Sequence, residues 1–216
     1  MKTITLIAAV FSVTALSACG GGGGGGVAPT PTRSGFTTVT GATANATLTN
    51  ERNRSVTRAA VGTAAYTTGI DQAAGQMVAV SGVRAGANTG AAITNGQATY
   101  NTSYGYGVID SITRTQTLIR GTRGEETGTL TLTADFDRGT LTGNNGELTV
   151  NGTVNGTTVG GTATANYNFG GFGTPVQRGS VRGPLSGQIG DNGVVGAFHG
   201  SDANTVMAGG LVGTKN

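Results

Sequence analysis

The sequence predicts an all-β protein: an eight-stranded antiparallel up-and-down β-barrel with a small amino-terminal β annex. Three observations lead there. The 216 residues include 41 glycines and 38 threonines, and glycine alone far exceeds its usual share of roughly 7%. No stretch of about 11 residues carries a convincing 3.6-residue apolar period, because glycines interrupt every candidate helix. In the carboxy-terminal half, runs of period-two alternation are separated by short Asn- and Gly-rich turns.

The first 18 residues are read as an export signal. Met1-Lys2-Thr3 is a short basic start, and Ile4 to Leu16 is apolar but shorter than the roughly 20 residues a membrane-spanning helix needs. The segment ends in Leu16-Ser17-Ala18-Cys19. These four residues resemble the bacterial lipoprotein processing motif. The resemblance implies cleavage before Cys19, a diacylglycerol thioether on its sulfur and an acyl chain on its amine. Multiple chains anchor stably where one is marginal. Gly20 comes next, with no aspartate of the kind associated with inner-membrane retention, so the resemblance implies delivery to the outer membrane.

Residues 19–34 are then the lipidated cysteine and a tether. Gly20 to Gly26 is an unbroken glycine run, and Pro29 and Pro31 stiffen the far end of the tether. Polyglycine has no side chain to bury and loses much backbone entropy on ordering. Gly20 to Ser34 reaches about 50 Å fully extended and about 20 Å as a coil.

Residues 35–107 are expected to hold the annex or the first strands. Val61 to Ala79 comes nearest to a helix through its alanines, but Gly62, Gly69 and Gly75 oppose it. A short turn fits Asp71-Gln72-Ala73-Ala74.

The barrel is expected over residues 108–216, with strands near 108–118, 127–136, 139–143, 146–154, 157–168, 178–190, 193–200 and 206–213. Leu130, Leu132, Ala134 and Phe136 share one face, with Thr129, Thr131, Thr133 and Asp135 on the other. Ala163, Ala165, Tyr167 and Phe169 are in phase in the same way. β-branched threonine suits a pleated surface, and its hydroxyl keeps one face wet. Closure into a ring removes edges, although period alone leaves a two-sheet sandwich open. Small inward residues favour a narrow barrel filled by side chains. Five tyrosines and six phenylalanines are too few for the girdles of a transmembrane barrel.

A second resemblance rests on these strands. Ala134 to Gly143, Ser180 to Gly190, Gly193 to Gly200 and the ending Ala208-Gly209-Gly210-Leu211-Val212-Gly213-Thr214 resemble the barrel repeats of transferrin-binding-protein-B-like surface lipoproteins. The last strand lacks the aromatic usual there, and Pro184 suggests an edge, bulge or strand break. Receptors of that family have two lobes, each with a barrel and a handle domain; this chain has room for one barrel and an annex. The resemblance implies a cell-surface lipoprotein that binds an extracellular protein or a small nutrient ligand such as haem. The alternative is a structural or partner-scaffolding envelope lipoprotein with no captured solute.

Composition excludes several chemistries. One cysteine forms no internal disulfide, and the single histidine cannot build a histidine-rich zinc site. Two lysines and a net charge of +3 offer no basic patch for nucleic acid. No G-x-S-x-G elbow occurs, and no glycine run carries a phosphate-loop lysine. The expectation is a non-enzyme with no cofactor beyond the lipid on Cys19. The binding candidates are Tyr100, Tyr104 and Tyr106, read as an exposed aromatic patch or a tyrosine haem ligand, together with His199. Alternation puts His199 opposite Phe198, towards solvent. Two charged clusters, Glu51-Arg52-Arg54-Arg58 and Arg114-Arg120-Arg123 with Glu125-Glu126, suit solvated hairpin tips, an acidic partner or lipid headgroups.

Overall fold

A computed structural model describes residues 36–40, 48–115, 118–171 and 174–216. The export signal, Cys19 and the tether lie outside the described residues. Twelve strands run in chain order: β1 (Phe36–Thr40), β2 (Leu48–Arg58), β3 (Gly62–Asp71), β4 (Gln76–Arg84), β5 (Gln97–Arg114), β6 (Ile119–Asp135), β7 (Thr140–Asn144), β8 (Leu148–Asn155), β9 (Thr158–Gly171), β10 (Thr174–Ile189), β11 (Gly193–Ser201) and β12 (Val206–Lys215). The first four form a sheet in the order β1-β4-β3-β2, and β5 to β12 pair in a closed antiparallel ring.

Each turn has a local cause. Asn145 accepts the Glu147 and Leu148 amides between β7 and β8, where Gly146 takes a positive φ. Gly156 does the same between β8 and β9. The Asp71 carboxylate accepts the Ala74 amide at 3.0 Å and turns β3 into β4, so the alanine-rich stretch is a hairpin. Asn151-Gly152 lies inside β8.

Inside the ring, alternate residues make one core: Tyr100, Tyr104 and Tyr106 from β5, Leu130, Leu132 and Ala134 from β6, Ala163, Ala165 and Tyr167 from β9, Phe198 from β11 and Leu211 from β12. Glycines let such rings fit a narrow bore. A Cβ on Gly128 would stand 2.5 Å from the Tyr104 hydroxyl oxygen, and one on Gly209 2.5 Å from the Phe198 ring. These glycines are seats for aromatic rings, and only a residue without a side chain leaves that space.

The eight-stranded up-and-down barrel with a small annex expected from the sequence needs correction. The ring is a continuous ladder only around its lower end, where β5 begins and β12 finishes. β6 and β7 share just three residue pairs, Thr133–Thr142, Ala134–Leu141 and Asp135–Thr140. Pairing of β8 with β9 stops at Ala165, and pairing of β10 with β11 stops at Leu185. Above those points β9–β10 runs on as a long hairpin paired with neither neighbour, while β5–β6 stays joined to β12 as far as the Ile109–Val206 pair, so the ladder is unbroken all round only at the lower end. Pro184 stands at one of these stops, inside a paired strand opposite Thr162; with no N–H to offer, it ends the ladder toward β11. The short β7 and β8 cause the other stop. The first ring strand begins at Gln97, eleven residues before the expected 108, because Gln97 to Gly107 pair with β6 along their whole length.

The annex, too, is more than a short appendage. β3 and β4 cross the outside of β11 and β12, and Val61, Ala64 and Val83 close on Val195, Ala197 and Val212. The connection between annex and ring is pinned underneath. The Asn192 side chain donates to the Ala60 and Asn88 carbonyls at 2.8 Å each, and Asp191 accepts the Ala91 amide at 2.8 Å. Phe36 pairs with Arg84 at this same lower end.

Candidate functional site

The three tyrosines of β5 are not a patch. All are buried, Tyr104 the most exposed at 2%, because even-numbered positions of β5 face the bore. Tyr104 and Tyr106 stack at 6.0 Å, and Tyr106 meets Phe198 at 6.5 Å. Every hydroxyl is spent internally. Tyr100 donates to the Gly190 carbonyl at 2.9 Å, Tyr104 to the Glu147 carboxylate at 2.6 Å and Tyr106 to the Asn166 carbonyl at 2.6 Å. Burial pushes the Tyr100 and Tyr104 phenols up to about 12, helped at Tyr104 by the Glu147 bond. None offers an oxygen to an iron ligand from outside, so the tyrosine haem site is withdrawn.

His199 lies on the opposite side of the wall from Phe198, as alternation requires, but the annex covers that side. The imidazole is half-buried rather than solvent-facing, and burial lowers its pKa. Its Nδ1 is buried with no hydrogen-bond partner. His199 and the tyrosines are therefore separated by the barrel wall and form no common site.

The two charged clusters meet each other. Arg54 on β2 bonds Glu125 on β6 at 2.8 Å, with Arg52 at 3.9 Å from the same carboxylate. Arg123 donates to the Thr68 carbonyl at 3.3 Å. This side-chain clamp joins the annex to the ring. Its groups are partly solvated, so its stabilisation is at most about 1 kcal/mol.

Asp135 and Asp137, one possible carboxylate pair in the sequence, serve the β6–β7 turn. Asp135 accepts the Arg138 amide at 2.9 Å and its guanidinium at 2.8 Å; the amide bond first, then the side chain, holds this carboxyl below its usual range. Asp137 accepts the Gly96 amide at 3.1 Å. Among the described residues no group of three or more His, Cys, Asp or Glu side chains is arranged to hold a metal.

What the fold does assemble is a cleft of about 420 Å³ at the upper end. Its walls are the start of β4 (Gln76 to Ala79), the β5–β6 hairpin (Ile112, Arg114, Ile119) and the β11–β12 turn from His199 to Asn204 with Val206. That volume falls within the range of ordinary ligand pockets, and the mix of apolar side chains with a few polar groups is of the same kind. At the same end stand Leu118 and Val176, the exposed large apolar residues among those described.

No known family profile matches the chain, and no curated protein matches it by sequence. Solved structures do resemble it. A transferrin-binding protein B from Haemophilus parasuis is 14% identical over 76% of this chain and 37% of its own, with a TM-score of 0.42. A protein described as a surface lipoprotein is 14% identical over 76% of this chain and 81% of its own, at 0.45. HpuA from Kingella denitrificans, solved with human haemoglobin, is 16% identical over 74% of this chain and 59% of its own, at 0.37. The chain thus spans little more than a third of the first of these.

Sequence reading does not find the cleft. Its residues come from five strands scattered between Gly75 and Val206, and no local pattern announces that they converge. The one available signal is His199 in a strand whose outward neighbours, Val195 and Ala197, are apolar. A wet wall would not read so.

Proposed function

We propose that the protein is a lipid-anchored outer-membrane surface protein that binds an extracellular protein through the upper end of its barrel, without catalysis. The observation that carries this reading is the opposition of two ends. The chain enters the described fold at Phe36 beside Arg84, at the lower end. The two long hairpins, exposed Leu118 and Val176 and the cleft are all at the upper end. A cysteine anchor at Cys19 with a tether reaching about 50 Å would join the fold at the lower end and leave the upper end free to meet a partner. The packed bore supports a protein partner over a solute carried inside the ring, since its tyrosines, leucines and Phe198 fill it.

Protease added to intact native cells, with a periplasmic control protein, tests the reading. Selective loss of this protein is expected. Full protection, with cleavage only after lysis, would overturn surface exposure and favour the structural or scaffolding role inside the envelope.

A further inference from the structure

We propose that Asn155, at the tip of the β8–β9 hairpin, is a site of spontaneous covalent modification that turns this uncharged loop acidic. The inference does not depend on a partner at the upper end, because β8 finishes at the lower one.

The sequence holds five Asn-Gly pairs, beginning at Asn95, Asn145, Asn151, Asn155 and Asn192. In such a pair the glycine amide nitrogen can attack the carbonyl carbon of the asparagine side chain, since no Cβ on the glycine obstructs the approach. A bond forms from the glycine N to the asparagine Cγ, the Cγ–Nδ2 bond breaks, and the amide proton leaves with that nitrogen as ammonia. Water then opens the cyclic imide at either carbonyl. The product is aspartate or its isomer linked through the side chain. No oxidant or reductant is needed, and water is the co-reactant. The step requires a free asparagine side chain, a glycine amide with no other partner, and a backbone that can bend between them.

The other pairs each lack at least one of these. Gly96 donates its amide to the Asp137 carboxylate at 3.1 Å. Gly146 donates to the Asn144 side chain at 2.8 Å, and the Asn145 side chain is held by the Glu147 and Leu148 amides, the Tyr104 hydroxyl and the Thr129 carbonyl. Asn151-Gly152 lies inside β8, laddered to β7 on one side and to β9 on the other. Gly193 donates to the Thr89 carbonyl at 3.1 Å, and the Asn192 side chain donates to Ala60 and Asn88.

Asn155-Gly156 differs on every count. Both residues are exposed, and among the described residues neither the Asn155 side chain nor the Gly156 amide has a hydrogen-bond partner. The Asn155–Thr158 pair leaves a two-residue loop, and Gly156 is its first residue at a φ of 59°. Pairing of β8 with β7 has already ended at Thr153, so only the last β8–β9 rung keeps Asn155 extended. Terminal rungs open at little cost. The consequences are local too. Each conversion lowers the net charge of +3 by one unit. The side-chain-linked isomer adds a main-chain carbon to a loop whose length sets the β8–β9 register.

The test incubates the full chain, folded and purified in detergent, at neutral pH in water enriched in heavy oxygen. Digestion and mass spectrometry then read each Asn-Gly peptide, and label enters only where an imide opened during the incubation. Asn155 is expected to take up label first. Every hydrogen bond that must open elsewhere slows the reaction about fivefold, so each other pair lags by at least that factor. In urea all the pairs are expected to react at similar rates. Hydrogen exchange at the Gly156 amide of the folded chain is expected to be unprotected. Asn155→Gln, whose side chain would have to close a larger ring, removes the label at this position and leaves the others unchanged. The proposal fails if any other pair labels as fast as Asn155 in the folded chain, or if Asn155 labels only in urea. A protected Gly156 amide overturns it as well.

Discussion

Two walls of the same ring are built differently. Along β6 the alternation is clean from Thr129 to Ala134: threonines outside and exposed, Leu130, Leu132 and Ala134 inside and buried. Along β11 six successive residues from Gly193 to Phe198 are buried, and along β12 seven from Met207 to Gly213. The first wall meets water on one face, and the second is covered by the annex outside and by the core inside. A strand covered on both faces reads as a continuous apolar or small-residue run, whereas a half-wet strand alternates. The threonine-rich wall and the valine- and alanine-rich wall thus record in the sequence where the annex sits.

The largest expected effect comes from putting the same charge on both walls. Ala197→Asp would bury an unpaired carboxylate under the annex, and should destabilise by at least about 3 kcal/mol in urea unfolding. Thr131→Asp, on the bare wall, should stay within about 0.5 kcal/mol. Equal losses would mean that the annex does not cover β11 in solution.

The ring seats come next. Gly209→Ala brings a methyl against the Phe198 ring and the Tyr106 Cβ, and should cost about 1–3 kcal/mol, measured the same way. Gly146→Ala, where an added Cβ meets nothing within 4 Å, should cost less and only through its positive φ. That pair separates crowding from backbone strain.

The junction can be loosened without touching either wall. Asn192→Ala removes two bonds to the annex side of the connection and should cost about 1–2 kcal/mol, with faster hydrogen exchange at Asn88. Glu125→Gln releases Arg54 and Arg52; its effect should be at most about 1 kcal/mol and should shrink at high salt.

The smallest effect is a pH dependence on the bare-wall side. The Asp135 carboxyl is held below its ordinary value in the folded chain, so its contribution is fully present above the unfolded value near 3.9. It is lost as pH falls below that value and through the lowered folded one. Asp135→Asn should flatten the acid limb of the stability curve and leave the neutral region with a constant offset.

Much of the fold is legible in the sequence. The carboxy-terminal half of β6, the strands from β7 to β12, the turns at Asn145-Gly146 and Asp202-Ala203-Asn204, and the inward phase of Leu130 or Ala163 all follow from period two and turn chemistry. The candidate site is not. Tyr100, Tyr104 and Tyr106 read as outward because alternation divides a strand into two faces without saying which is wet. Asn101 and Ser103 between them are no more polar than a tyrosine-bearing surface would allow. His199 fails for the converse reason: its face is right, but the cover over that face comes from residues more than 100 positions earlier.

The sequence by itself determined that the described fold is β, where its turns fall, and that a lone Cys19 precedes an unbroken glycine run. These are local properties, written in composition, period and short motifs. Only the tertiary structure decided that the annex closes over β11 and β12, that β9–β10 outruns its ring neighbours, and that the start of β4, the β5–β6 hairpin and the β11–β12 turn meet around a cleft. Each of those depends on which distant strands meet and for how many residues, and ladder length is a property of the pair rather than of either strand.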